Sequence, residues 1–454
     1  MYRNEAPANQ HSSAIAEKLQ TNERLLDRLS SKYPATESPE FASLVRPSDR
    51  DEPGQRLFHY REGYTVELCR KLIVEDSGPI LDPFCGFGST LLAAKEKSIK
   101  AIGFDVNPLA ICVSEAKTTN YSPREIDEFR RFRDLMEAVR PTDHRAASPD
   151  LRIIDKLFHT DILTALNVFK AQVQSIDNQK IRRLAFVCWL AILEDVSNVF
   201  REGNGVKYRN RVRRGNEYTT IPYDEWANQY FPDDKFSFVR NAYLKKLEVA
   251  LSDIEIRPLG SEPRIIGEDS LSLGRFVAAG TIGHALFSPP YCNLFNYIKA
   301  YKLELWMGGF IQSYGDVRTL TGRGIRSRLE GLTASTDPVD QEVEQFAHLV
   351  EEADTWSDAI PAVVRGYFSD MQAVLGAVHG ALRPGGRASV VVGNSALGGV
   401  LIPTDMLLAS IAEKIGFSVA ELKVARHLTT SSQQKKNLGQ FKKYMRETII
   451  ELRK

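Results

Sequence analysis

Residues Leu81 to Pro108 read LDPFCGFGSTLLAAKEKSIKAIGFDVNP, and the fold is decided in this stretch. Pro79, Ile80 and Leu81 form a short apolar run that closes on Asp82. A glycine-spaced turn, Gly86-Phe87-Gly88, then leads into Ser89-Thr90-Leu91-Leu92-Ala93-Ala94, a helix-forming run. A second apolar run, Ala101 to Phe104, closes on Asp105. Strand, loop, helix and strand make one βαβ unit with an acidic residue ending its second strand. Glycines let a backbone approach a ligand closely, and Asp105 can accept hydrogen bonds from both hydroxyls of a ribose. The unit is therefore read as the seat of an adenosine-type cofactor lying over the strand ends. A phosphate-binding loop would need a lysine followed by serine or threonine after Gly88, which is missing, and the dinucleotide spacing is broken at Leu91.

A second signal lies far downstream, at Ser288-Pro289-Pro290-Tyr291. Asp82-Pro83-Phe84-x-Gly86-x-Gly88 followed by Gly103-Phe104-Asp105-x-Asn107-Pro108 resembles the S-adenosylmethionine site of amino-group methyltransferases acting on nucleic acid. The tetrapeptide is similar to their catalytic motif, in the serine form of the cytosine-N4 DNA enzymes. The resemblance implies a doubly wound α/β fold: a seven-stranded, Rossmann-like class I methyltransferase core whose last strand pair is antiparallel. It implies cofactor contacts from Asp82, Pro83, Phe84, Gly86, Gly88, Asp105 and Asn107. It also implies one from Asp269, with Glu268 as the alternative, at the end of the third strand. The segment HYREGYTVELCRKLI, upstream of the glycine loop, resembles the part that closes over the methionine end of the cofactor, which brings in Tyr60 and, beside it, His59.

Methylating an exocyclic base amine meets a definite obstacle, because the nitrogen lone pair is delocalised into the ring. Hydrogen-bond acceptors aimed at the amine protons localise it and take up the positive charge that develops. Ser288 Oγ and the Pro289 carbonyl can be those acceptors. Consecutive prolines fix the turn and bring no competing N–H, and Tyr291 offers a ring face to a flipped-out base. Asn293, Asn296 and Tyr297 follow closely enough to line a base pocket, while Leu303, Leu305 and Trp306 are read as core. A C5-cytosine mechanism needs a thiolate, usually in a Pro-Cys pair; no cysteine here follows proline, and Cys292 is read as a packing residue. Adenine-N6 and RNA guanine-N2 methylation remain alternatives on the same scaffold, as does a non-catalytic nucleic-acid-binding subunit with a vestigial pocket.

The 454 residues carry a formal net charge of +1, so nucleic-acid contact has to come from local patches. The most basic stretch holds Arg201, Lys207, Arg209, Arg211, Arg213 and Arg214, punctuated by Gly203, Gly205 and Gly215 and interleaved with Tyr208 and Tyr218. It is read as a basic loop contacting phosphates and base edges, a solvated loop being the alternative. A second basic stretch, from Gly315 through Arg328 with Arg318, Arg323 and Arg326, is expected as a mobile loop on the DNA side. Thr429 to Lys436 is polar and basic, and is expected to be flexible.

Helical periodicity dominates residues 120–260, with helices expected at Pro123 to Val139, Ile162 to Ile176, Ile181 to Arg201 and Phe238 to Ile254, and no convincing strand. The division expected is an N-terminal surface arm at 1–55, the first part of the core at 56–119, a helical insertion at 120–260 forming a subdomain that can contact DNA, and the rest of the core at 261–454. Pro384-Gly385-Gly386 is expected as a tight turn before a strong strand at Ala388 to Val392. Five scattered cysteines without a CxxC pair argue against a zinc site or a disulfide framework and fit a cytoplasmic protein. The longest apolar run, Leu184 to Leu193, falls short of the ~20 residues a membrane span needs. The partners expected are S-adenosylmethionine, double-stranded DNA and a cognate restriction endonuclease, with no metal and no membrane.

Overall fold

The glycine turn and its flanking strands form as the sequence pattern requires. Gly86 and Gly88 adopt positive φ values of 48° and 84°, which only glycine tolerates freely. Gly88 caps the helix Ser89–Glu96, whose Thr90, Leu91, Leu92, Ala93 and Ala94 are buried. Each fully buried leucine contributes about 1.5–3 kcal/mol. The next helix, Pro108–Thr118, starts with proline in its first turn and with the Asn107 side chain accepting from Leu109 N at 3.0 Å.

The structure is a computed structural model and describes residues 8–49, 51–74, 77–202, 205–215, 217–257, 259–330, 339–429 and 439–454. In chain order its strands begin with β1 (Ala35–Glu37), β2 (Ile80–Asp82) and β3 (Ala101–Phe104). Next come β4 (Val199–Glu202), β5 (Gly205–Tyr208), β6 (Arg211–Arg214) and β7 (Glu217–Thr220). The rest are β8 (Arg264–Ile266), β9 (Ile282–Phe287), β10 (Leu382–Gly393), β11 (Ser395–Leu397), β12 (Val400–Ile402), β13 (Ser418–His427) and β14 (Arg446–Arg453). The large sheet runs β1-β13-β14-β10-β9-β2-β3-β8. Its pairs are parallel except the two made by β14, which lies antiparallel between β10 and β13. β2 and β9 are neighbours, so the acidic end of one and the Ser288 end of the other emerge at the same edge of the sheet.

Several expectations are corrected. The sheet has eight strands rather than seven, because Ala35–Glu37 adds to β13 at the edge. The N-terminal segment is not a surface arm. Its helix Ala8–Lys32 buries Leu26 and Leu29, and Asn22 exchanges two hydrogen bonds with the Leu401 backbone. Leu19, Leu25, Leu26 and Leu29 form an apolar stripe along this helix, and it packs on the helix Thr404–Ile415 and β12. The helix expected to reach Arg201 ends at Ala191, and residues 199–220 form two antiparallel hairpins, β4 with β5 and β6 with β7, where a loop was expected. Part of the second basic stretch is the helix Tyr314–Gly322, capped by Ser313 and Asp316. Pro384-Gly385-Gly386 lies within β10, where the register against β9 shifts between Leu382 and Arg387. Thr430 to Lys436 and Gly203 lie outside the described residues.

The insertion between β3 and β8 does not stand apart as a subdomain. Phe169, Trp189 and Tyr243 from its helices share one hydrophobic cluster with Phe58, Phe87 and Leu109 beside the glycine loop and with Trp306. Continuous burial of this kind packs the insertion directly against the glycine-loop half of the sheet. Among the described residues, no helix is long and apolar enough to cross a membrane, and no cluster of three His, Cys, Asp or Glu could hold a metal.

Candidate active site

A cavity of about 510 Å³ opens at the carboxyl ends of the central strands, within the size range of small-molecule sites. The glycine loop contributes Pro83, Phe84 and Gly86, β3 contributes Asp105, and the turn after it contributes Asn107. Asp269, Glu268 and the whole Ser288-Pro289-Pro290-Tyr291 turn line the same space, together with Tyr60. Two segments about 200 residues apart in sequence thus share one pocket, because β2 and β9 are adjacent.

Asp105 is held in place by backbone donors: Gly86 N reaches Oδ2 at 3.0 Å and Asn107 N reaches Oδ1 at 2.7 Å. A carboxylate has about four acceptor sites, so capacity remains for a ligand. Burial pushes this carboxyl up to about 6, against the pull of those N–H groups. Asp82 does not line the cavity. It is buried beneath the loop, accepts from Phe84 N at 3.0 Å and Tyr64 Oη at 3.4 Å, and is pushed by burial up to about 7. Gly88 is likewise structural, since a Cβ there would stand 3.0 Å from Ser114 Oγ. Ser114 Oγ in turn donates to the Gly86 carbonyl at 2.7 Å and pins the loop.

Tyr60 stacks on Phe87 with ring centroids 4.4 Å apart, and a Cβ on Gly86 would come within 3.3 Å of the Tyr60 ring. His59 lies outside the cavity wall. Asp269 caps the short helix Ser270–Arg275 by accepting from Leu271 N at 3.0 Å, and burial raises its carboxyl above the ordinary value. Asn293 and Tyr297 line the cavity, whereas Asn296 caps the helix Tyr297–Ala300.

Tyr291 is fixed from an unforeseen direction. Its hydroxyl donates to Glu447 Oε1, and Glu447 pairs with Arg426. A Cβ on Gly393 would sit 2.8 Å from Tyr291 Cε2, so the end of β10 needs glycine beside the ring. Burial, reinforced by Glu447, raises the Tyr291 phenol well above its usual range and keeps it neutral. Arg426 and Glu447 carried no sequence signal, since Glu447 lies 156 residues from Tyr291. Glu62 and Tyr301 were also missed; they join at 2.7 Å in the cavity wall, where the Tyr301 ring lies 5.4 Å from that of Phe87 in the glycine loop. Burial raises Glu62, and the Tyr301 hydrogen bond opposes that.

The basic residues fall into two groups. Lys207 pairs with Glu202, Arg211 lies over the Tyr218 ring at 4.9 Å, and Arg213 Nε donates to the Gly215 carbonyl at 2.9 Å. Arg209 sits over Phe200 and Tyr230, and Arg214 ends β6. Four belong to the hairpins, and Arg209 stands in the link between β5 and β6. The other group is turned inward. Arg201 is clamped by Glu194, Glu304 and the Ala300 carbonyl over the Tyr301 ring. Arg326, expected to face nucleic acid, chelates Asp370 instead, with its guanidinium largely buried. Arg323 is half exposed and pairs with Glu268 at 3.1 Å.

A mixed α/β fold with a large, mostly parallel sheet and a ligand-sized cavity at its strand ends is consistent with a methyltransferase core. Comparison with known proteins supports that class. The chain is 24% identical over 431 residues to the Type II methyltransferase M.BsoBI of Geobacillus stearothermophilus, spanning 85% of this chain and 83% of that protein. It is 24% identical over 442 residues to the Type II methyltransferase M.AvaI of a Nostoc species, spanning 91% and 89%. A shorter likeness, 24% over 127 residues, is to the Type II methyltransferase M.MvaI of Kocuria varians. No family model matches the chain.

Proposed function

We propose that this protein transfers a methyl group from S-adenosylmethionine to the exocyclic N4 of a cytosine in duplex DNA, at a short recognition sequence and on a base swung out of the helix. The observation that carries the reading is the shared cavity of the glycine loop and the Ser288-Pro289-Pro290-Tyr291 turn. The relatives named Type II methyltransferases support the transfer reaction, and the serine at the head of the tetrapeptide supports cytosine over adenine. The mostly parallel sheet, with antiparallel β14 inserted between β10 and β13, supports reading the strands other than β1 as a class I core.

In this reading Asp105 receives the ribose hydroxyls, Asp269 the adenine amine, and Tyr60 covers the loop side. Asp82 and Gly88 act by holding the loop in shape. S-adenosylmethionine supplies an electrophilic methyl group on a sulfonium. Ser288 Oγ and the Pro289 carbonyl accept hydrogen bonds from the two amine N–H groups, draw the nitrogen out of conjugation and offset its growing charge. Tyr291, kept neutral and held by Glu447, presents a ring to the base. Holding nucleophile and methyl in line is a proximity effect, and no metal is called for. The hairpin residues Lys207, Arg211, Arg213 and Arg214, with Arg209 and Arg323, supply cationic contacts to the duplex.

The test is incubation of the purified protein with tritiated cofactor and either duplex DNA or transfer RNA, followed by nucleoside analysis. Label in N4-methylcytosine is the expected result; label in N6-methyladenine, in RNA only, or in neither substrate overturns it. Ser288→Ala should lower turnover roughly 100-fold while cofactor affinity stays within about threefold.

A further inference from the structure

Among the described residues four arginines line the cavity, and three are either ion-paired or open to solvent. Arg61 pairs with Glu194 at 3.1 Å, Arg426 pairs with Glu447, and Arg46 is exposed at the rim. Arg328 differs. It is only 5% exposed, its Nη2 donates to the Thr321 carbonyl, and its Nε is buried without an acceptor. The nearest acidic influence, Glu330, is paired with Lys299 instead, and among the described residues no carboxylate forms an ion pair with Arg328. Burial lowers this guanidinium from its ordinary value, the mark of a desolvated cation that lacks a counterpart.

A buried, under-satisfied guanidinium is costly unless something completes it. The space it borders is the cavity, so the occupant has to bring an acceptor. Arg328 also lies on the catalytic side. Its charge acts on Tyr297, whose hydroxyl accepts the Tyr291 N–H at 3.4 Å. The donor's sulfonium repels the guanidinium, while its methionine carboxylate is the rival acceptor, a group that S-adenosylhomocysteine shares. The extruded base also brings acceptors, and its chemistry selects among bases. Once its N4–H groups are bonded to Ser288 and Pro289, cytosine offers two adjacent acceptors, N3 and O2, on the same edge. The planar fork of arginine matches such a pair. Adenine offers N1 and then a C–H, and guanine offers an N–H donor that would oppose the cation.

We propose that Arg328 is the base-reading residue of the pocket, its guanidinium donating to N3 and O2 of the extruded cytosine. This rests on the cytosine-N4 reading above and adds the reason why other bases are refused.

The test uses the full-length protein on a duplex site first mapped by sequencing for N4-methylcytosine. Arg328→Met should lower kcat/KM on that site by about 10- to 100-fold, and Arg328→Lys by less. Binding of S-adenosylhomocysteine, measured by calorimetry, should stay within threefold in both, which also shows that the variants fold. The unaltered protein should lose a similar factor on a duplex carrying 3-deazacytosine, which lacks the N3 acceptor. The two losses should not add when Arg328→Met meets 3-deazacytosine. Fully additive losses, or collapse of S-adenosylhomocysteine binding with base preference unchanged, would overturn the assignment and leave Arg328 as a cofactor or structural contact. If the unaltered protein makes no N4-methylcytosine on any duplex, the functional reading itself has failed, and the inference with it.

Discussion

The glycine loop and the basic hairpins are both short, glycine-bearing and close to the cavity wall, yet they are stabilised in opposite ways. Residues 80–108 are built on buried strands, with a helix whose inner face is sealed and an acid that ties Gly86 to Asn107. Residues 199–220 are two hairpins, and β7 is exposed along its whole length. A two-stranded hairpin is marginal in water, so these depend on anchors at their bases. Asn198 and Asn210 bond each other reciprocally, and Arg201 plugs into Glu194, Glu304 and Tyr301. Tyr301 also lines the cavity and bonds Glu62. The buried region gives the cavity a fixed wall; the exposed one presents cations while staying keyed to the same wall.

The largest break in that comparison is Arg201→Met. It removes the cation that compensates Glu304, a carboxylate 1% exposed, and stripping one partner from a buried pair costs about 3–5 kcal/mol. Urea denaturation should show that loss, with weaker cofactor binding because Tyr301 loses its neighbour. A change below about 1 kcal/mol would mean that the hairpins are not anchored through Arg201.

On the rigid side, Asp105→Ala should weaken S-adenosylhomocysteine binding by about 3 kcal/mol, roughly 100-fold, since it removes a charged acceptor. The pH dependence sharpens the point. Burial places the Asp105 carboxyl near 6, above its unfolded value of about 3.9. Its contribution to stability is therefore fully present below about 4 and lost as pH rises through about 6. Ligand binding has the opposite sign, because the carboxylate is the better acceptor and forms above about 6. Calorimetry between pH 7.5 and 5 should show affinity falling, and Asp105→Asn should flatten the curve. A curve of unchanged shape in Asp105→Asn would remove Asp105 from the ligand.

What could be read in advance follows the same division. Asp82, Gly86, Gly88 and Asp105 sit within one local unit, so backbone need and ligand chemistry leave their mark at close spacing. Glu447 and Arg426 reach Tyr291 only because β14 inserts between β10 and β13, an arrangement with no local trace. The N-terminal helix showed its apolar stripe but not the surface that covers it. The hairpins did leave a signal. Gly203-Asn204 and Gly215-Asn216 each fall between short runs holding Val, Tyr or Thr, a recognised hairpin pattern. The density of arginine and glycine masks it, because that composition points to a phosphate-contacting loop while the β-formers beside it point to strands. Arg326 was misread for the related reason that sequence shows the cation and not the Asp370 waiting for it.

The smallest effects should come from the hairpin cations themselves, and their pattern separates positioning from reading. Lys207 is exposed and, among the described residues, ion-paired with Glu202 alone, so Lys207→Ala should weaken DNA binding a few-fold on every sequence and reduce the salt slope of log K by about 0.9, the value for one released counterion. Arg213 stands across the ribbon from Tyr218, two residues from Arg211, on a hairpin open to solvent. If Arg213 touches only phosphate, Arg213→Ala will match Lys207→Ala on specific and nonspecific duplexes alike. If it reaches a base edge, the loss will be larger on the specific duplex than on the nonspecific one. Filter binding at several salt concentrations distinguishes these outcomes. An unchanged slope in both variants would remove the hairpins from the DNA surface while leaving the buried half of the comparison intact.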